Sequence, residues 1–410
     1  MRLEDAKELE QLEVFKGKTL AGTLTRTHKG SEFAFDEAFL SSGNKGISFH
    51  LSNENATYTS YGDSLPPFFA GLLPEGLRLK ALISRIKTSE DDLFSILATV
   101  GSQCIGDINV FAPGNPTQPR LNRPVSFDKL DFYKLFEETL EDVNYNELNQ
   151  ALSGVQEKIS ASMISFPINQ AQKDKFYIVK LNPKDKPRLV ENEHLSLKLA
   201  KKCGLNVNIT KIINDKNGQQ GLLVERFDRF IDTQSDKESK TICMHHQEDA
   251  CQFLDRYPAD KYRISFKEVL KGIAQYTTAP KIEILKAIQL YAYSYLIGNG
   301  DLHAKNISIQ TLSKSGRTVL SQCYDLITTY IYKDHKMALK VNERDDNIQR
   351  KDFIALGALF SVPERSISSM LDKLVTLCEM HHPILFAVMD AKQQTLWMKM
   401  FNKRLIDLKA

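Results

Sequence analysis

In the first 55 residues apolar and polar positions alternate along EVFKGKTLAGTLTR and EFAFDEAF, the period of half-buried strands. A helical stretch follows near Leu77 to Ile86, and FAPGNPTQPRLNRP, with its four prolines, reads as a linker. From about residue 126 to 230 helix and strand patterns mix. FYIVKLN, Phe176 to Asn182, is a β-branched and aromatic run whose alternation puts Ile178 and Lys180 on one face. ENEHLSLKLAKKCGLNV then predicts a helix with Leu195 and Leu199 on one stripe, Lys201 and Lys202 in the last turn and Gly204 as its C-cap. QQGLLVERFDRF carries an apolar strand from Leu222 to Val224 that turns polar at Glu225. Beyond residue 230 the pattern is mainly helical. In KIEILKAIQLYAYSYLIG apolar residues go almost all round, which predicts a buried central helix. Pro363 opens another helix, with Ile367, Met370, Leu371, Leu374 and Leu377 facing a core.

The central helix runs into YLIGNGDLHAKNISI, Tyr295 to Ile309, which places Asp301 and Asn306 five positions apart in a short polar loop. That spacing is a phosphoryl-transfer signature. In protein kinases the catalytic loop reads H-R-D-x-x-x-x-N, where the Asp accepts the proton of the attacking hydroxyl and the Asn holds Mg²⁺. Downstream, ISIQTL and RTVLSQCYD flank the turn Ser313-Lys314-Ser315-Gly316 and predict a β-hairpin whose second strand runs into Asp325. Tyr324-Asp325-Leu326 stands where kinases place D-F-G. Asn306 and Asp325 would supply oxygen ligands suited to Mg²⁺, and the bland alternative is that Asp325 only ends a strand. Upstream, Lys180 matches the lysine of the V-A-I-K strand. Glu193 either pairs with Lys180 or serves the helix dipole. Extended backbone near Glu225 and Phe227 can offer the carbonyl and N–H that adenine requires, while Arg226, Asp228 and Arg229 read equally as surface charges.

Composition narrows the class without choosing within it. A chain of 410 residues with 42% hydrophobic content can bury more than one core, and a net charge of +3 makes it no obvious nucleic-acid binder by itself. The six cysteines lack C-x-x-C pairs, which argues against a disulfide framework and for a reducing cytosol. Cys243, His245, His246 and Cys251 invite a zinc assignment that their wide spacing opposes. No run approaches a membrane span and MRLEDAKELEQLEV is too charged for a signal peptide, so a cytoplasmic protein with no membrane association is expected.

The ordered series LSGVQEK, IVKLN, NEHLSLKLAKKCGLNV, VERFDR, HQEDACQ, LIGNGDLHAKNISI and CYDLITT resembles the HipA family of bacterial toxin serine/threonine kinases. The resemblance extends into the N-terminal part through ISFHLS, LPPFFAGLLPEG and LFSILATVGSQCIGDINVF. It implies an α+β, two-lobed protein-kinase-like fold with a mainly helical C-lobe, preceded by a small α/β N-terminal domain. The expected boundaries are 1–120 for that domain, 121–230 for the N-lobe and 231–410 for the C-lobe. The cofactors implied are ATP and Mg²⁺. By the same resemblance Asp301 is the catalytic base, Asn306 and Asp325 bind the metal, Lys180 meets ATP phosphates, and Glu225, Phe227 and Asp228 form the nucleotide hinge. Gln252 falls at a nucleotide-pocket position, His303 and Lys305 sit inside the catalytic loop, and Gly154 and Lys158 lie in the phosphate-covering loop. Family members phosphorylate a serine in that loop; here Ala151 holds the usual place and Ser153 is the remaining candidate. The implied partners are a small helix-turn-helix antitoxin like HipB, DNA only through that antitoxin, and a protein substrate such as an aminoacyl-tRNA synthetase. Two rival readings stand beside this one. GDLHAKN also resembles the loop of aminoglycoside and choline phosphotransferases, and a catalytically weak chain could serve only as a co-repressor.

Overall fold

In the computed structural model, residues 3–62, 64–114, 126–139, 163–172, 175–183, 186–232 and 241–409 are described. Ser153, Gly154 and Lys158 lie outside them, as does most of the proline-rich linker. The alternating N-terminal runs form an antiparallel sheet of β1 (Gln11–Lys16), β2 (Thr19–Thr27), β3 (Gly30–Phe35), β4 (Thr57–Tyr61) and β5 (Ile108–Phe111), in the order β4-β3-β2-β1-β5. In β3 the period of two buries Ser31, Phe33 and Phe35 on one side. Helices Gly76–Ile86 and Leu93–Val100 share a core with that face.

A second antiparallel sheet follows, from β6 (Ile164–Gln172), β7 (Lys175–Leu181), β8 (Thr210–Asn214) and β9 (Gln220–Glu225), in the order β6-β7-β9-β8. Its two faces have different neighbours. Val179, Leu181, Ile213 and Leu223 join the N-terminal core, so the two sheets share one apolar interior. Leu222 and Val224 point the other way, against Leu189 and Val190 of the helix Leu189–Lys202. Lys180 pairs in register with Leu222 and therefore shares the helix-facing side. The helix ends with Cys203 as its C-cap and Gly204 one residue beyond, at φ +83°, a shift of one position from the sequence expectation.

The C-terminal half carries the pair β10 (Arg229–Asp232) and β11 (Thr241–Met244), and the sheet of β12 (His246–Asp249), β13 (Ser308–Thr311) and β14 (Thr318–Leu320). The last two strands are the expected hairpin. Around them pack the helices Phe266–Tyr276, Pro280–Ile297, Arg350–Ala358, Glu364–His381 and Ala391–Lys409. The helix Pro280–Ile297 is buried on nearly every side, and its tyrosines survive there because each hydroxyl donates a hydrogen bond. Tyr291 donates to the Leu339 carbonyl (2.5 Å), Tyr293 to that of Ser196 (2.5 Å) and Tyr295 to Asp407 (3.1 Å). Gly298, at φ +73°, ends the helix and turns the chain into the Asp301 loop. Pro363 is the N-cap of its helix, which buries Ile367, Leu371 and Leu374.

Among the contacts that join the N-terminal domain to the rest are two ionic clusters. Asp228 accepts Arg226 Nε and Nη2 at 2.9 and 2.6 Å and Arg229 Nη2 at 3.2 Å. Both arginines also donate to the Cys104 carbonyl (3.0 and 2.7 Å), and the Gly106 N–H donates to Asp228 (3.0 Å). Burial alone would raise the Asp228 carboxyl, but the two guanidiniums overcome it and hold it well below the usual range. The second cluster is His246, whose Nδ1 meets Asp107 at 2.8 Å and whose Nε2 meets Glu248 at 2.9 Å. With a carboxylate at each nitrogen the ring is held as imidazolium. Burial and Lys16 oppose that charge, Asp107 and Glu248 outweigh them, and the pKa rises above its ordinary 6.5.

Replacing Asp228 with Asn should cost about 3 kcal/mol or more, because two buried guanidiniums lose their only anion in the cluster, and calorimetric melting should record the drop. The His246 contribution has the opposite dependence on acid from a carboxylate's. Its folded pKa is raised, so its stabilisation is complete below pH 6.5 and is lost as pH climbs through the folded value. The melting-temperature gap between wild type and His246→Gln should therefore narrow as pH rises above 6.5, and a constant gap would refute the imidazolium assignment.

Candidate active site

The register that turns Lys180 toward the helix places its ammonium against Glu193, which lies on the buried stripe with Leu189 and Leu197. The Glu193 carboxylate accepts at 2.9 and 3.0 Å from Lys180 Nζ, both side chains being buried. Asp325 accepts from the same nitrogen. Glu193 thus pairs with Lys180, the first of the two readings that its position in the sequence left open. The same helix reaches the segment beyond Asp325 through Asn192, whose side chain donates to the Thr328 carbonyl (3.0 Å) and accepts from the Thr328 N–H (2.9 Å).

Asp325 has φ +52°, in the left-handed region that a non-glycine residue enters at a cost and that Asp tolerates better than most. Tyr324 just before it is tied to the Asp301 loop, donating to the Lys305 carbonyl (2.8 Å) and lying 2.5 Å from Ser308 Oγ. The hairpin therefore delivers Asp325 at a set distance from the loop.

The loop itself is closed on one atom. The Asp301 carbonyl accepts both the His303 N–H (2.8 Å) and Asn306 Nδ2 (2.9 Å). Asp301 is fully buried, and Tyr262 OH donates to its Oδ1 at 3.2 Å. Burial of the phenol, reinforced by the Asp301 charge, pushes the Tyr262 pKa far up, so it stays a donor. His303 is buried too; desolvation outweighs the nearby Asp301 and lowers its pKa to about 4, leaving a neutral imidazole near pH 7. Lys305 stays charged, since Glu75 and Asp249 more than offset its burial.

Between sheet and loop opens a cavity of about 300 Å³. Lys180, Gln252, His303, Lys305, Asn306 and Asp325 line it. Asp301, Glu225, Phe227 and Asp228 are not among its lining residues. Glu225 pairs with Lys175 (2.7 Å), the Phe227 carbonyl accepts from Gln310 (3.1 Å), and both Asp228 oxygens are taken by the cluster above. The Asp228 carboxylate is thus engaged where the N-terminal domain meets the second sheet. Gln252 reaches the cavity wall with its amide already engaged: its Oε1 accepts from the Asp249 N–H (3.0 Å) and its Nε2 donates to the Phe68 carbonyl (3.0 Å).

Sequence reasoning missed several residues of this wall. Glu75 and Arg78 arrive from the N-terminal domain, inside and just after LPPFFAGLLPEG, a motif quoted without a role. Asp249 sits three residues before Gln252, where burial raises its carboxyl to about 6 despite Lys305. Tyr262, which holds Asp301 but does not line the cavity, carried no motif at all.

The description "HipA N-terminal domain" matches residues 12–111 and "HipA-like C-terminal domain" matches residues 150–381. The putative kinase Y4mE of Sinorhizobium fredii is 26% identical over 356 residues, 81% of each chain. The serine/threonine-protein kinase toxin HipA of Shewanella oneidensis is 26% identical over 307 residues, 70% of this chain and 68% of that one. Among solved structures, the Shewanella oneidensis toxin–antitoxin complex of HipA, HipB and operator DNA contains a chain that matches with a TM-score of 0.73 at 19% identity, covering 97% of this chain and 96% of that one. The expected α+β, two-lobed kinase-like fold is the fold this chain has. Both HipA domains lie on one chain in their proper order, and the protein belongs to the HipA family of kinases.

Proposed function

We propose that this protein is an Mg²⁺- and ATP-dependent serine/threonine kinase, the toxin of a toxin–antitoxin pair. The observation that carries the reading is Lys180 held between Glu193 and Asp325, across the cavity from the Asp301–Asn306 loop. Phosphoryl transfer asks a protein mainly for positioning and for charge opposite charge. Lys180 supplies a desolvated ammonium for phosphate oxygens, and Glu193 keeps it aimed into the cavity. Asn306 gives its Nδ2 to the Asp301 carbonyl, so its Oδ1 is the atom left for a cation, and Asp325 brings a carboxylate to the same cavity. Two oxygen donors fit a hard ion that keeps water and phosphate among its other ligands. Mg²⁺ bound there would neutralise charge on the phosphates. Asp301 takes the proton from the acceptor hydroxyl, oriented by Tyr262 and the closed loop. His303 and Lys305 add a neutral donor and a cation on the nucleotide side.

The match over residues 12–111 favours a HipA-type protein kinase over a small-molecule phosphotransferase. The partners proposed are a HipB-like antitoxin, with DNA reached through it, and an aminoacyl-tRNA synthetase as target, whose phosphorylation would arrest translation and growth. We assign a cytoplasmic site of action; among the described residues no helix is long and apolar enough to cross a membrane. Gly154 and Lys158 are proposed to cover the phosphates, with Ser153 as the self-modified residue.

Asp301→Asn should lower turnover by about 10²- to 10⁴-fold while calorimetry finds ADP affinity little changed. Mass spectrometry after incubation with ATP and Mg²⁺ should find phosphate on Ser153 in the wild type and none in that variant. Equal turnover by Asp301→Asn would remove the assignment. Lys180→Ala should weaken nucleotide binding by about tenfold, since a charge-assisted contact in a desolvated cleft is lost, and Glu193→Gln should shift affinity in the same direction. Unchanged affinity and turnover in both would sink the role given to Lys180.

A further inference from the structure

The LPPFFAGLLPEG motif of the N-terminal domain has no part in the chemistry above, yet it forms one wall of the cavity. Its short helix Pro67–Gly71 lies against Gln252 so closely that a Cβ on Gly71 would stand 2.5 Å from that side chain. The absence of a side chain there lets the Gly71 carbonyl accept from Lys305 Nζ at 3.0 Å. Four residues on, Glu75 meets two lysines. Its Oε2 accepts from Lys261 Nζ at 2.6 Å, and its Oε1 lies 3.5 Å from Lys305 Nζ.

Each lysine is attached to the catalytic loop in its own way. Lys305 belongs to it. The Lys261 carbonyl accepts the N–H of Ala304, and the next residue, Tyr262, holds the Asp301 carboxylate. A carboxylate bonded to both lysines therefore fixes the loop at Lys305 directly and at Ala304 and Asp301 through the 261–262 segment. An exposed ion pair would be worth little. Here the lysine side chains are only 13% and 12% exposed and the Glu75 side chain 32%, and among the described residues the other carboxylate near Lys305 is Asp249, 3.7 Å away. The Lys261 and Lys305 ammoniums would then repel each other beneath the loop.

We propose that Glu75 is a positioning residue for the catalytic loop, so that the N-terminal domain completes the phosphoryl-transfer site rather than merely adjoining it. This rests on the kinase reading given above. Glu75 acts through Lys261 and Lys305, and its removal should misplace Asp301 and Lys305 relative to the acceptor without emptying the nucleotide cleft. Displacements of that kind lower turnover more than ground-state binding.

The test uses the full-length chain as wild type, Glu75→Gln, Glu75→Asp and Asp301→Asn. ADP affinity is measured by calorimetry, melting temperature by fluorescence, and turnover as Mg²⁺-dependent release of ADP from ATP per ADP-binding molecule. Glu75→Gln, which keeps size and polarity, should lower turnover about tenfold or more with ADP affinity within about threefold of wild type. Glu75→Asp, which keeps the charge, should recover a large part of the loss. A merely structural Glu75 would instead lower melting temperature and ADP affinity together and leave turnover per binding molecule intact. That result, wild-type turnover in Glu75→Gln, or Glu75→Asp no better than Glu75→Gln overturns the proposal. If Glu75→Gln binds no ADP, Glu75→Asp decides: reduced turnover with intact affinity supports the role and full turnover overturns it. Wild type no more active than Asp301→Asn would strike down the kinase reading, and this inference with it; a normal gap between those two with an unaffected Glu75→Gln removes only the inference.

Discussion

An ammonium withdrawn from water is stable only where carboxylates face it, and Lys180 meets that condition between Glu193 and Asp325. Three elements far apart in the chain converge on this one requirement. Strand β7 must keep the register that turns Lys180 away from the N-terminal core. The helix Leu189–Lys202 must present Glu193 within its apolar stripe, and the β13–β14 hairpin must deliver Asp325 in a left-handed backbone conformation. A one-residue slip in β7 would exchange Lys180 for Val179 or Leu181 and put a charge into the shared interior. The cleft is therefore a consequence of charge burial as much as a container for a ligand.

Much of this was legible in the sequence because it is local. The Asp301–Asn306 spacing, the hairpin that leads to Asp325 and the alternation of FYIVKLN each lie within one stretch of chain, where period and turn chemistry speak directly. The partners that escaped notice are remote. Glu75 and Lys261 are 186 positions apart, and Asp228 meets the Gly106 N–H across 122. Nothing in VERFDR says that a loop of another domain will land on Asp228. Gln252 shows a related limit: its motif marks a position near the nucleotide, but only the fold reveals that its amide is spent on an N-cap and on the Phe68 carbonyl.

Charge is handled in a similar way at three junctions of the N-terminal domain among the described residues. Asp228 between two buried arginines, His246 between two carboxylates and a half-buried Glu75 between two lysines each meet opposite charge. Such clusters add little net energy relative to apolar packing, but they penalise any other docking angle heavily, because a small rotation strands an ion without its partner. Apolar contact holds the domains together, and the ionic clusters select one arrangement.

The shared interior carries a consequence for how long such a molecule persists in a cell. Val179, Leu181, Ile213 and Leu223 are kept from water by residues of the N-terminal domain, so the two halves cannot part without exposing an apolar sheet face. Cleavage of the covalent link between them would leave a noncovalent complex whose every dissociation presents that face to degradation machinery. The halves consequently stay folded together or expose that face together.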